Sequence, residues 1–403
     1  MDRDTFATLT VIAAVAVLAP LVSELLKGRV PGVVLEIGFG IVIGPQVLAL
    51  AKVTPLVDGL SGIGLTFLFF MAGYEISLHR VRGRPLRLAA VGWVASLVLA
   101  LVLAASLVIT GFALSTLLIA LALTTTALGT LLPMLADNGE MDTQFGALVL
   151  AIGAAGEFLP IVAITLLLSG HNPFSTGLLL VGFVALAVVA AALALRPAPR
   201  RLALILGRTL ETSSQLPIRI AVLLVVLLVW VASRLGLDVL LGAFAAGMVI
   251  RLANQGENAA VIDTKLSALA FGMFVPVFFI VSGISFDVDA LTGSPGTLLR
   301  VPVFLALFLV VRGLPTLVSH RHVLGPSDRI AAALLASTAL PVIVAVTKIG
   351  LDRHDMKPEN AAALIAAGML SVLLFPAIAF ALRRRTAAAE LLRTRSAASE
   401  SSA

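Results

Sequence analysis

One carboxylate stands halfway along an apolar run of membrane-crossing length. It is Glu157, in the stretch from Gln144 to Leu168, whose middle reads Gly156-Glu157-Phe158-Leu159-Pro160. A carboxylate at that depth costs several kcal/mol unless it is paired, protonated or in contact with water, so its natural chemistry is binding a proton or a cation. Pro160 removes a backbone donor one turn later. Three more polar groups share the depth. Thr124, Thr125 and Thr126 precede Gly129 and Pro133; Ser337 and Thr338 precede Pro341; Arg312 opens an Arg-Gly-Leu-Pro run. Hydroxyls beside helix breakers point to interrupted helices whose freed backbone groups face a cavity. Arg312 cannot shed its charge and needs an anionic partner or carbonyls, and Glu157 is the one acid at mid-span.

The elements that carry these residues follow from composition. Of 403 residues, 60% are hydrophobic and 12% charged, and the mean hydropathy is +1.10. That is an all-α polytopic membrane protein, with about thirteen transmembrane helices, and not a soluble globular chain. The net charge of +6 sits in short loops and the tail, so no nucleic-acid partner is implied. Cysteine is absent, which excludes disulfides. His79, His171, His320, His322 and His354 fall in loops or at span ends without metal-ligand spacing. No nucleophile–base pair sits at depth, so neither an enzyme, a resident metal nor a cofactor is expected. The Met-Asp-Arg-Asp start is not the basic leader of a signal peptide, so the first apolar run reads as a retained helix.

Basic residues set the orientation. With the N-terminus outside and the C-terminus cytoplasmic, twenty basic residues fall inside and seven outside. The longest inside connection, 196–217, divides the chain into similar halves. Phe69-Phe70-Met71-Ala72-Gly73, followed by Ile76-Ser77, resembles Phe278-Phe279-Ile280-Val281-Ser282, followed by Ile284-Ser285. The copies lie an odd number of spans apart, which predicts two inverted six-helix repeats around a linker helix at 175–195. The Ala-, Arg- and Ser-rich end, 386–403, reads as a disordered cytoplasmic tail.

Five stretches together resemble the monovalent cation:proton antiporter superfamily, in its Kef-type and bacterial sodium/proton exchanger branch. They are PGVVLEIGFGIVIGP from Pro31, GIGLTFLFFMAGYEIS from Gly62, LGAFAAGMVI from Leu241, FVPVFFIVSGISFD from Phe274 and VRGLPTL from Val311. The resemblance implies two crossed, discontinuous helices, a core or transport domain over 87–169 and 298–382, and a dimer domain over 7–77 and 218–284. It implies a homodimer, for which Gly242, Ala245, Ala246 and Gly247 offer a small-residue surface. At the ion site the family carries Asp-Asp, Asn-Asp or Gln-Asp, and the matching pair here is Gly156-Glu157. The family's basic position matches Arg312.

The resulting expectation is a secondary transporter in the cell membrane that exchanges Na+ or K+ for H+ by elevator-like alternating access. Glu157 binds either ion, the hydroxyls of Thr124, Thr125, Thr126, Ser337 and Thr338 complete an oxygen shell with freed carbonyls, and Arg312 compensates charge. With one titrating group, the exchange is expected to be electroneutral. Two other readings stay open from sequence: a transport-dead sensor or channel on the same fold, and a sodium-coupled anion transporter of the bile-acid type in which Arg312 holds the anion.

Overall fold

A computed structural model describes residues 3–27, 30–75, 83–141, 143–168, 173–194, 200–210, 212–254 and 258–400. His79, His171, Ser77 and the last residues of 7–77, 87–169 and 175–195 lie outside them. Among the described residues there is no strand. Among the same residues, ten helices are by length and composition apolar enough to cross a membrane, and Gly32–Ile43, Thr116–Leu132 and Val239–Ala253 are shorter apolar helices.

The chain forms two compact units. The first comprises 1–26, 35–78 and 158–286. Its helices Pro55–Glu75 and Val239–Ala253 pack backbone to backbone, because a Cβ at Gly73 would collide with the Phe244 carbonyl and one at Gly247 with the Phe70 carbonyl. A Cβ at Gly242 would stand 2.6 Å from the Leu228 carbonyl. All of Gly242, Ala245, Ala246 and Gly247 are buried. This corrects the sequence argument for dimerisation: the small residues are consumed within the protomer and leave no free surface.

A polar knot fastens the helix ends of this unit. The Tyr74 hydroxyl donates to the Asp263 carboxylate. The Asn254 amide donates to Asp263 at 2.8 Å and to the Tyr74 oxygen at 2.7 Å, and Arg251 approaches Asp263 at 3.4 Å. The 196–217 connection, read as a loop, contains a helix at Arg200–Leu210. Its apolar residues and arginines segregate at the helical period, a signal outweighed in the sequence by the preceding Pro-Ala-Pro. Lys265 Nζ closes its end on the Leu210 carbonyl and donates to Gln215 Oε1 at 2.9 Å.

The second unit comprises 27–34, 79–157 and 287–403. The boundary between the units falls inside Gln144–Leu168, between Glu157 and Phe158. In this unit the most apolar window of Pro326–Asp352 is 89% buried, against 28% for Arg84–Ile109, so the former lies at the centre. Pro295–Ser319 carries a π turn at Leu309–Gly313, which contains Arg312 and ends just before Leu314 and Pro315. The final helix runs Pro358–Glu400. Residues 386–400 therefore continue a helix where disorder was expected; their Ala, Leu, Glu and Arg are strong helix formers, with no glycine or proline to stop them. Arg383, on the same helix, binds Glu140 at 2.8 Å and Asp328 at 2.6 Å and lies 3.7 Å over the Phe145 ring.

Candidate ion site at two interrupted helices

The first interruption follows Thr116–Leu123, whose start is capped by Ser115 Oγ accepting from the Leu118 amide. Helix resumes at Leu128–Asp137. The intervening threonines weaken the helix there. Thr124 Oγ1 donates to the Leu121 carbonyl and Thr125 Oγ1 to the Ala122 carbonyl, both at 2.9 Å. Such back-bonding, from β-branched residues in succession, competes with the helical ladder. Gly129 and Pro133, expected as breakers, lie inside the second half-helix. The helix has ended before either residue is reached, with the Thr126 and Ala127 amides donating to the Gly156 and Thr338 carbonyls rather than to their own helix.

The second interruption separates Pro326–Ala336 from Pro341–Asp352. Ser337 Oγ donates to the Ala333 carbonyl at 2.8 Å and Thr338 Oγ1 to the Leu334 carbonyl at 3.3 Å. Pro341 opens the second half, where its missing N–H costs no helical bond.

The two interruptions are tied directly. The Ala127 amide donates to the Thr338 carbonyl at 2.8 Å, and Thr126 Oγ1 donates to the Ala336 carbonyl at 2.6 Å. The Thr126 amide donates to the Gly156 carbonyl at 3.0 Å, which brings the Glu157 helix to the same point. That helix, Gln144–Leu168, is uninterrupted. Gly156 and Pro160 are thus not breaks: the Gly156 carbonyl, to which Pro160 has no N–H to donate, accepts from the Thr126 amide instead.

Arg312 is 2% exposed and Glu157 is 3% exposed. The Arg312 guanidinium donates to Thr126 Oγ1 through Nε at 3.0 Å and Nη2 at 2.8 Å, to the Ile152 carbonyl through Nη2 at 3.3 Å, and to Ser96 Oγ through Nη1 at 3.5 Å. Thr124, Thr125, Thr126, Ser337 and Thr338 are all buried to within 1% of complete. The structure thus gathers Thr126, Gly156 and Arg312 with the backbone of both interruptions. The hydroxyls of Thr124, Thr125, Ser337 and Thr338 each bond to their own helix.

Three supporting side chains were not singled out from sequence. Trp93 Nε1 donates to the Thr124 carbonyl at 3.2 Å. Ser96 meets Arg312. Ser371 Oγ accepts from the Ala339 amide at 3.0 Å and holds the second interruption. The available signal was a lone hydroxyl well inside an apolar span, at Ser96 and Ser371. His320, read as a loop residue, is 1% exposed, with Nδ1 3.1 Å from the Thr316 carbonyl. It is the first residue beyond the spanning helix, and it folds back onto the last turn.

Buried charges beside paired, interrupted helices in a polytopic helical protein define the architecture of ion-coupled transporters. The family model described as sodium/hydrogen exchanger, transmembrane, matches residues 12–383. The chain belongs to that family. It is similar to the putative Na(+)/H(+) antiporter YjbQ of Bacillus subtilis, 25% identical over 93% of this chain and 63% of that protein. It is 24% identical to the probable Na(+)/H(+) antiporter GerT of Bacillus cereus, over 83% of this chain and 88% of GerT. It is 27% identical to cation/H(+) antiporter 18 of Arabidopsis thaliana, over 90% of this chain and 47% of that one. The chain thus spans about half to two-thirds of the YjbQ and plant proteins. Its fold matches that of the sodium proton antiporter MjNhaP1 from Methanocaldococcus jannaschii, with a TM-score of 0.65 at 19% identity over 94% of this chain and 98% of the other.

Proposed function

We propose that the protein exchanges one monovalent cation, Na+ or K+, for one proton across the cell membrane. The observation that carries this is Glu157, buried one residue past Gly156, where the two interrupted helices are hydrogen-bonded together. A proton and a cation compete for its carboxylate. Hydroxyls and carbonyls at the interruptions supply the hard oxygen ligands that a small cation requires. Arg312 fixes one positive charge nearby and does not titrate in the working range. One titrating group then makes the exchange one-for-one and electroneutral.

In this reading 87–169 and 298–382 form the transport domain, which carries Glu157 between inside- and outside-facing positions. The dimer domain of a homodimer is 7–77 and 218–284, and 175–195 is the linker helix between the two halves. The N-terminus faces out and the C-terminus the cytoplasm. The test is pH-gradient dequenching in proteoliposomes, titrated with Na+, K+ and Li+. Wild-type protein should collapse the gradient with at least one cation. Glu157→Gln, which can neither titrate nor bind a cation as strongly, should fold and show no exchange. Equal exchange by both would refute the role of Glu157.

A further inference from the structure

The absent side chain at position 156 has a use that neither the fold nor the exchange reading assigns. A Cβ placed on Gly156 would stand 2.5 Å from Thr126 Oγ1, 2.6 Å from Thr126 Cβ and 2.7 Å from Arg312 Nη2. Those distances lie well inside van der Waals contact. The volume a side chain would need is filled by a guanidinium and by the hydroxyl that receives it.

We infer that Gly156 is the seat of the Arg312 guanidinium: the missing side chain admits a fixed positive charge to the junction of the interrupted helices, and position 156 sets whether that charge is there. Gly156 is a positioning residue that acts through Arg312.

The hydrogen bonds around the seat show what the charge does. A threonine hydroxyl offers one donor and two acceptor lone pairs. Thr126 Oγ1 accepts from Nε and Nη2 of Arg312 and donates to the Ala336 carbonyl, so its capacity is filled. Thr126 is therefore not a ligand of the transported ion, which removes it from the oxygen shell expected from sequence. Thr124, Thr125, Ser337 and Thr338 have given only their protons to carbonyls, and their oxygens keep lone pairs for a cation.

The guanidinium also spans three elements. It binds the first interruption through Thr126, the Glu157 helix through the Ile152 carbonyl, and Arg84–Ile109 through Ser96. Its own position comes from the π turn at Leu309–Gly313. The seat thus places one charge that cannot dissociate next to the one residue proposed to exchange its proton. A resident cation there disfavours a second positive charge and so favours a single monovalent ion over a divalent one.

For its transport arm this inference rests on the exchange reading; its stability arm does not. The test is a double-mutant cycle with Gly156→Ala and Arg312→Ala in full-length protein. Each single variant should move the pH profile of exchange to higher pH by about one unit, because a displaced or deleted cation stabilises the ionised carboxylate less. The double variant should move it no further than Arg312→Ala alone. A purely structural role for Gly156 would lower rate and stability without moving the profile. Additive shifts, or an unshifted Gly156→Ala profile, would overturn the seat. If Gly156→Ala does not accumulate as folded protein, recovery of folded protein by adding Arg312→Ala supports the seat, and no recovery overturns it. If wild-type protein exchanges no cation at all, the exchange reading fails while melting temperatures still decide the seat. Non-additive losses across the same cycle support it, and additive losses refute it.

Discussion

Thr126→Val is the sharpest perturbation of the junction because it changes chemistry and almost no shape. Valine fills the same volume, so no cavity forms and packing costs are small. What disappears is a hydroxyl that accepts from Arg312 Nε at 3.0 Å and Nη2 at 2.8 Å and donates to the Ala336 carbonyl at 2.6 Å. A bond to a charged donor is worth about 1.5–3 kcal/mol, and a buried carbonyl left without its donor costs about 1–3 kcal/mol. Relief from burying the hydroxyl itself returns about 1 kcal/mol. The expected net loss is ~3 kcal/mol. Thr126→Ser keeps the oxygen, gives up one methyl and should lose about 1 kcal/mol. Reversible unfolding of both variants in mixed micelles, with unfolding followed by tryptophan fluorescence, measures the difference; Trp93 lies on the adjacent helix and donates to the Thr124 carbonyl. If Thr126→Val is as stable as Thr126→Ser, the hydroxyl does not hold the guanidinium and the account of the junction is wrong.

Burial lowers the affinity of His320 for a proton, so the neutral ring belongs to the folded state. The unfolded chain then binds the proton first, and the stability this residue confers is lost as pH falls below the ordinary imidazole range. Melting temperatures from pH 7.5 down to 5 should fall less steeply in His320→Gln, and equal slopes would contradict the assignment. Arg383→Ala removes a guanidinium shared by Glu140 and Asp328 and should cost about 2 kcal/mol, with Arg383→Lys in between, because lysine cannot bridge both carboxylates in the same fork. The orientation predicts that a cysteine at Thr386 reacts with impermeant maleimide only from the cytoplasmic side. Labelling from outside would reverse the topology.

Sequence made the interrupted helices legible because the hydroxyl clusters lie so far from solvent that few other roles suit them. It misplaced the breaks within them. Gly129 and Pro133 are strong breakers by type, yet the helix stops earlier in the chain, where the Thr126 and Ala127 amides turn to the Gly156 and Thr338 carbonyls. Pro160 sits in a continuous helix because the Thr126 amide, from another element, serves the Gly156 carbonyl that Pro160 cannot. The space at Gly156 was invisible, since a glycine records only that something is absent and not which side chain comes in. Gly242 and Gly247 showed close packing correctly but not its partner, which proved to be another helix of the same protomer. The helical end to Glu400 was missed because a polar, charged composition was weighed above the helix propensity of its alanines and leucines.

If Glu157 alone titrates at the junction, Gly156 and Arg312 supply no second exchangeable proton and no net charge moves. The most direct measurement is cation-driven proton exchange in proteoliposomes whose membrane potential is clamped with valinomycin and K+, using Na+ as the substrate if it is carried. A single-carboxylate site gives the same initial rate and the same end-point at every clamped potential. A rate or end-point that follows the potential would show net charge moving in each cycle, and would contradict the single-carboxylate site.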